Sequence, residues 1–441
     1  MIPSQRVYWL LLLGGAIAVL VATWGEIPLS IGISLAYSLL LLLLMAIDSW
    51  RVKNHAVEVS RTPLNKLSIG RDNPVTLTVK ASQKSVRLHI ADFYPLEFSA
   101  STSQFHLDLS PNQIQELHYT VCPHRRGEFL WRDIQVRQLG TWGLGWREWK
   151  IPARQTVAVY PDLIGLRSLS IRLAVENTGT MRQARRLGQG TEFTELREYS
   201  TGDDTRLIDW KATARRARPV IRVLEPEKEQ TLIILLDRGR LMTAQVQGMK
   251  RFDWGLNSTL SLALAGLSRG DRVGVGVFDK EIVTWIPPER GQHQLPKLLE
   301  RLTPIQPVLL EPDYFGAVTR LVRQQARRAL VVILTDVVDS TASAELLAAL
   351  TRLTPRYLPF CVALRDPQVD RIAHTPPEAE GSATLIEMAY SRAVALDLIA
   401  QREVAFAKLK QRGVLVLDAP ADRISTEVVD RYLRLKARNR I

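Results

Sequence analysis

Two uncharged runs near the N-terminus, residues 7–24 (VYWLLLLGGAIAVLVATW) and 29–47 (LSIGISLAYSLLLLLLMAI), set the first constraint on this chain. A helix rises about 1.5 Å per residue, so each run covers most of a hydrocarbon core about 30 Å thick. Only GEIP at 25–28 separates them, which leaves room for a tight reversal and nothing else. The expectation is a transmembrane helical hairpin over residues 1–54 with both ends on one side. Arg6 precedes the first run and Arg51 and Lys53 follow the second, while the intervening loop holds one acid and no base. The excess of basic flanks then places both termini and everything after the hairpin in the cytoplasm, against the inner membrane. Tyr8, Trp9, Trp24 and Trp50 fall where interfacial aromatics sit. A cleaved signal peptide is the competing reading, but it wants a shorter apolar region and no second span.

The remaining length suffices for two or three domains, each with its own core. A formal charge of +13 favours acidic partners: anionic lipid, nucleic acid or an acidic protein surface. Cys122 and Cys361 are the two cysteines, which excludes a disulfide framework and the paired spacings of zinc sites. Between residues 55 and 162 the apolar period is two, as in Val75-Leu77-Val79, Val86-Leu88-Ile90 and Leu117-Tyr119-Val121. Turn residues at 70–74, 110–112, 126–127 and 140–145 punctuate it, so an antiparallel β-sandwich is expected. Trp131, Trp142, Trp146 and Trp149 read as packing residues in preference to a stacking platform. His89, His106, His118 and His124 are dispersed over separate strands, with no ligand pair among them.

Residues 163–229 read as a basic linker followed by a dense polar segment. Arg182, Arg185 and Arg186 beside Gly188 and Gly190 suggest an exposed, partly mobile connection. Such a patch gains about 1 kcal/mol per basic residue near an anionic leaflet. From 188 to 229 acids, arginines and aromatics alternate beside the apolar run TLIILLD. Packed charge of this kind is costly to bury unless it pairs internally. Two roles stay open for Glu195, Arg197, Glu198, Asp203, Asp204, Arg206, Asp209, Trp210 and Lys211: fixing interdomain geometry, or contacting a partner. Arg215, Arg216 and Arg218 beside Trp210 and Lys211 would suit nucleic acid. The interleaved Asp203, Asp204, Asp209, Glu225, Glu227 and Glu229 would repel its phosphates, so internal pairing is the better use.

Over residues 230–441 apolar strands (TLIILLD, RVGVGVFD, IVTWI, ALVVILTD, YLPFCVAL, VLVLD) alternate with helical stretches at 246–267, 294–302, 314–328, 342–353, 389–410 and 425–436. That alternation predicts an α/β domain with a doubly wound parallel sheet, whose ligands sit beyond the carboxyl ends of the strands. Asp237, Asp279, Asp336 and Asp418 all fall there. Enzyme signatures are missing. Gly239 stands where a phosphatase of this architecture needs its second carboxylate, and there is no phosphate loop. Gly274 and Gly276 lie inside a strand, no G-x-S-x-G elbow occurs, and neither cysteine has a histidine neighbourhood.

The wording of the dense segment carries a resemblance. GQGTEFTELREYSTGDDTRLIDWKATAR, then VIRVLEPE and a strand ending in Asp237, resembles the signature of the domain-of-unknown-function family numbered 58. RRGEFLWRDIQVRQLGTWGLGWREW and VAVYPD resemble the β region that precedes it, so the likeness runs from about Arg125 to Asp336. The family has no established reaction. The resemblance implies a membrane-tethered protein with a von Willebrand factor A-like domain, associated with MoxR-type AAA+ ATPases. An A-type domain would hold Mg²⁺ through an Asp-x-Ser-x-Ser loop, a later hydroxyl and a further Asp, all hard oxygen donors. Here the loop is Asp237-Arg238-Gly239-Arg240-Leu241, so Gly239 and Leu241 stand at both serine positions. Asp237, Asp313 and Asp336 remain as metal ligands of a degraded site, with an arginine guanidinium in the cation's place as the competing reading. The expected function is a non-enzymatic adaptor that needs no cofactor and no nucleic acid, acting with such an ATPase in complex assembly or maturation. A divalent-dependent ligand-binding protein is the alternative; a nucleic-acid binder or hydrolase ranks below it.

Overall fold

The computed structural model describes residues 2–23, 27–52, 57–187, 192–225, 230–337, 343–376 and 382–438. Trp24, Gly25, Glu26, Lys53, His55, Gly188, Gly190, Glu227 and Glu229 of the sequence reading lie outside them. Two compact units divide the chain, Met1–Tyr160 and Pro161–Ile441.

In the first unit the apolar runs form helices Gln5–Ala22 and Ile27–Arg51. Both are long and apolar enough, by length and composition, to cross a membrane. They touch closely where the first has no side chain: a Cβ on Gly14 would lie 2.4 Å from the Tyr37 ring. Tyr37 in turn donates to the carbonyl of Leu10 at 3.0 Å. The second helix continues past its apolar run and carries Asp48, fully buried, near its end. The Asp48 carboxylate accepts from the backbone N–H of Trp142 (2.9 Å), Leu144 (3.0 Å) and Gly145 (3.4 Å). Ser4 Oγ donates to Gly143 O at 2.6 Å, and Ile2–Pro3 pairs antiparallel with Gly145 and Trp146. Arg147 donates to the carbonyls of Trp50 (3.3 Å), an acceptor the helix end leaves without a partner, and of Val52 (2.6 Å), just past the helix. The open end of the helix pair is therefore tied into the sheet through residues 140–145.

The strands that follow build three sheets. One runs Ile2–Pro3, Gly145–Ile151, Ile134–Leu139, Val86–Asp92, Gln104–Leu109; another Val57–Arg61, Asn73–Ala81, Ile114–Pro123, Phe98–Ala100; the third Lys66–Ser68, Gln155–Tyr160, Gly127–Trp131. All pairings are antiparallel except Lys66–Ser68 with Gln155–Tyr160, which is parallel and departs from the expected all-antiparallel sandwich. Alternate residues such as Val75, Leu77 and Val79 are buried, as a half-covered strand requires. Phe105 and Tyr119, on different sheets, meet with ring centroids 5.8 Å apart. Between the sheets Asp92 accepts from Tyr119 Oη (2.6 Å) and Trp131 Nε1 (3.3 Å) and pairs with Arg61 (3.4 Å). Trp131 is a core residue, whereas Trp142 is 40 % exposed.

In the second unit a six-stranded sheet runs Ile282–Glu289, Arg272–Phe278, Thr231–Asp237, Leu330–Thr335, Leu358–Arg365, Leu415–Pro420. Its pairings are parallel except at the Ile282–Glu289 edge, an antiparallel strand longer than the expected IVTWI. Leu232, Ile234 and Leu236 join one core cluster and Ile233 and Leu235 the other, so both faces are covered by helices. The linker expected over 163–187 is instead a helix, Leu163–Leu187. Leu163, Leu166, Leu169 and Leu173 recur at helical spacing and pack on the sheet's first cluster beside Leu256 and Leu260. Burying Leu166 and Leu173 contributes about 2 kcal/mol each, which outweighs the polar composition of the segment. Arg182, Arg185 and Arg186 fall in its last turns. The dense polar segment that follows is a two-stranded hairpin, Glu192–Glu198 with Val220–Glu225, closed by a 3₁₀ turn Thr205–Leu207 and a helix Trp210–Arg216.

Candidate functional site: the strand-end face and the signature hairpin

At the carboxyl end of its strand Asp237 is fully buried. It accepts from Gly239 N (2.7 Å), Tyr314 Oη (3.1 Å) and Thr335 Oγ1 (2.7 Å). Burial pushes its carboxyl up, and those three donors hold it down only in part. A Cβ on Gly239 would lie 2.8 Å from the Leu310 carbonyl. Asp313 caps the helix Tyr314–Gln324, accepting from Gly316 N at 2.6 Å. Asp336 is held by two guanidiniums, Arg251 Nη1 at 2.7 Å and Arg402 Nη1 at 2.6 Å. Arg402 reaches on to Asp418 (2.9 Å), which also meets Arg365 (3.3 Å), and Arg365 meets Asp370 (3.0 Å). Arg238 is forked onto Asp279 at 2.7 and 2.8 Å, and Arg240 pairs with Glu311 at 2.6 Å.

The three carboxylates expected to share a metal are thus engaged separately: Asp237 by hydroxyls, Asp313 by a helix N-terminus and Asp336 by arginines. Among the described residues no group of three or more His, Cys, Asp or Glu is placed to hold a metal ion. Guanidiniums of Arg238, Arg251 and Arg402 bring positive charge to this face. Burial lowers the Arg402 guanidinium, but Asp336 and Asp418 raise it by more and keep it charged.

The signature residues satisfy one another locally. Arg197 pairs with Asp203 (2.7 Å), Arg218 with Glu198 (3.2 Å) and Arg222 with Asp209 (2.8 Å). Asp204 accepts from Arg206 N at 2.9 Å, and Asp209 accepts from Lys211 N and Ala212 N at 3.0 Å each. Glu195, Arg206 and Lys211 are exposed, and Trp210 stands 71 % exposed at the first turn of its helix. Asp209 is held below the usual carboxylate range by Arg222 and the Ala212 N–H, and Asp203 by the Ser200 N–H and Arg197. A depressed folded-state pKa gives stability that is present above the unfolded value and lost as pH falls through the folded one. The stability that these two aspartates add to the hairpin is therefore expected to be lost as pH falls below the ordinary aspartate value of about 4. Hydrogen exchange of the hairpin amides from pH 6 to 3 checks this; protection that stays constant over that range would contradict it.

Sequence reasoning missed several partners. Arg251 and Arg402 sit on helices with no motif around them, and only the fold brings them to Asp336. Tyr314 likewise reads as an ordinary helix residue. His89 and His106, expected to be unrelated, are direct cross-strand partners with ring centroids 3.9 Å apart, and Trp146 lies 4.2 Å from His89. The signal was the register, which a period-two pattern leaves undetermined. His89 and His106 line an open groove of about 470 Å³ with Gln104, Gln135 and Arg137.

Residues 195–409 match the family model described as "Protein of unknown function DUF58", a span that takes in Glu195, Trp210, Asp237 and Arg402. Uncharacterized proteins of Mycobacterium bovis and Mycobacterium tuberculosis are 28% identical over 151 residues, 34% of this chain and 48% of each relative. The chain spans about half the length of the curated relatives it matches. Among solved structures, native alpha-2-macroglobulin from Escherichia coli is 16% identical over 24% of this chain and 16% of that one, with a TM-score of 0.19. A non-cellulosomal cohesin from Archaeoglobus fulgidus is 11% identical over 23% of this chain and 90% of its own, with a TM-score of 0.18. Likenesses of that size carry no argument.

Proposed function

We propose that this protein is a non-enzymatic, membrane-tethered adaptor that presents its signature hairpin and strand-end face, on the cytoplasmic side, to a protein partner. The partner is a MoxR-type AAA+ ATPase, which the resemblance of the signature implies. The observation that carries the reading is the contrast within the hairpin: its charged pairs are satisfied internally while Trp210 projects 71 % exposed. Tryptophan is among the residue types that interfaces use most as anchors. The sheet supports a von Willebrand factor A-like assignment, since its strands lie in chain order 3-2-1-4-5-6 with the third antiparallel. Arginine in place of a cation makes this a docking face that works without a divalent ion.

The test is affinity capture on the full chain from its native membranes, run once in Mg²⁺ and once in EDTA, with recovered proteins identified by mass spectrometry. Recovery of the same ATPase in both is expected. Recovery in Mg²⁺ only would favour the divalent-dependent reading, and recovery in neither would remove the assigned partner.

A further inference from the structure

Residues 140–145 (GTWGLG) are more than a turn between strands. Each of their glycines lies against the hairpin helices: a Cβ on Gly140 would lie 2.2 Å from Asp48, on Gly143 2.8 Å from Arg6 Nη1, and on Gly145 3.2 Å from Met45. Gly143 also has φ +72, which side chains with a Cβ disfavour. Glycine here lets the loop sit directly on the basic ends of both helices. Arg6, from the first helix, donates to the Trp142 carbonyl at 3.3 Å. Arg51, from the end of the second, lies over the Trp142 ring at 4.7 Å. Trp142 thus meets both guanidiniums that close the apolar pair, Arg6 at its carbonyl and Arg51 at its ring. Trp9 (73 %) and Trp50 (78 %) stand exposed on the same helices. A guanidinium has five donors, and among the described residues the backbone contact of Arg6 and the ring contact of Arg51 leave most of them able to meet an anion.

Resting on the membrane-tethered reading above, we infer that residues 141–144 lie in the bilayer interface and that Trp142, clasped by Arg6 and Arg51, seats the phosphate headgroup of an acidic phospholipid. Tryptophan prefers headgroup depth, and arginine extends its charge to that level while its stem stays in apolar surroundings. The loop then acts as a third foot beside the two helices. Asp48 and Arg147 fix it there, so the β unit stands on the bilayer at a set angle in place of swinging on a tether.

The full-length protein, extracted from bilayers of equal phosphatidylglycerol and phosphatidylcholine, is examined by native mass spectrometry for retained lipid. Phosphatidylglycerol should be enriched, and Arg6→Gln and Arg51→Gln should each lower that enrichment about five-fold, the ratio for about 1 kcal/mol per basic residue. Trp142→Ala should lower it too. The Arg6→Lys, Arg51→Lys double variant keeps the charge and should stay within about two-fold of wild type. Alkaline washing of the membranes separates the two claims. If washing releases the wild-type chain, the tether itself fails. If the chain stays in the membrane but the Arg6→Gln and Arg51→Gln variants keep full enrichment, the headgroup seat is overturned.

Discussion

Replacing Arg402 with methionine should lower the melting temperature of the α/β unit by roughly 10 °C. The guanidinium side chain is 11 % exposed, and it bridges Asp336 and Asp418 at 2.6 and 2.9 Å. It also donates to the Val337 carbonyl. Removing one partner of a buried ion pair costs about 3–5 kcal/mol, because the stranded charge is left without compensation. For a domain of this size each kcal/mol moves the midpoint by about 2–4 °C. Arg251 and Arg365 remain on the two acids and hold the effect to the lower half of that range. Lysine is not expected to rescue it, since one ammonium cannot span both carboxylates as a fork does. Calorimetry on the full-length protein in detergent checks both. A shift under about 2 °C for the single variant would mean the network holds nothing together.

How much of this was legible depended on the range of the interactions. The helix pair and the alternating strands were readable because hydrophobic period and length are local properties of the chain. Asp237 and Asp336 could be placed at strand ends for the same reason, whereas Asp418 lies inside its strand, Leu415–Pro420. Their partners could not. Asp336 meets Arg251 and Arg402, on helices far from it in sequence, and nothing near either arginine marks it. Residues 163–187 misled because Arg182, Arg185 and Arg186 drew more weight than Leu163, Leu166, Leu169 and Leu173. Once a core face is available, such a stripe decides the structure. The loop at 140–145 read as punctuation, yet its glycines answer to Asp48, Arg6 and Met45 from the helices, a constraint that only the assembled unit displays. Cross-strand relations such as His89 with His106 depend on register, which alternation leaves open.

Trp210 bears the other large effect. Its side chain is exposed, and Asp209, which caps its helix, keeps its own bonds when the indole is removed. Trp210→Ala should therefore leave the melting temperature within about 2 °C of wild type while removing the anchor of the docking face. Interface tryptophans of this kind cost about 2 kcal/mol or more on truncation, a loss of at least about 30-fold in affinity. Charge reversal at Asp204 or Arg206 would act through the same module and weigh less. The decisive measurement is the affinity of the full-length protein, held in lipid nanodiscs, for the purified MoxR-type ATPase of the same organism, compared with that of its Trp210→Ala variant. Tight binding by the wild type and the stated loss in the variant, at unchanged stability, is the predicted result; equal affinity for both, or no binding by the wild type, would contradict the adaptor account.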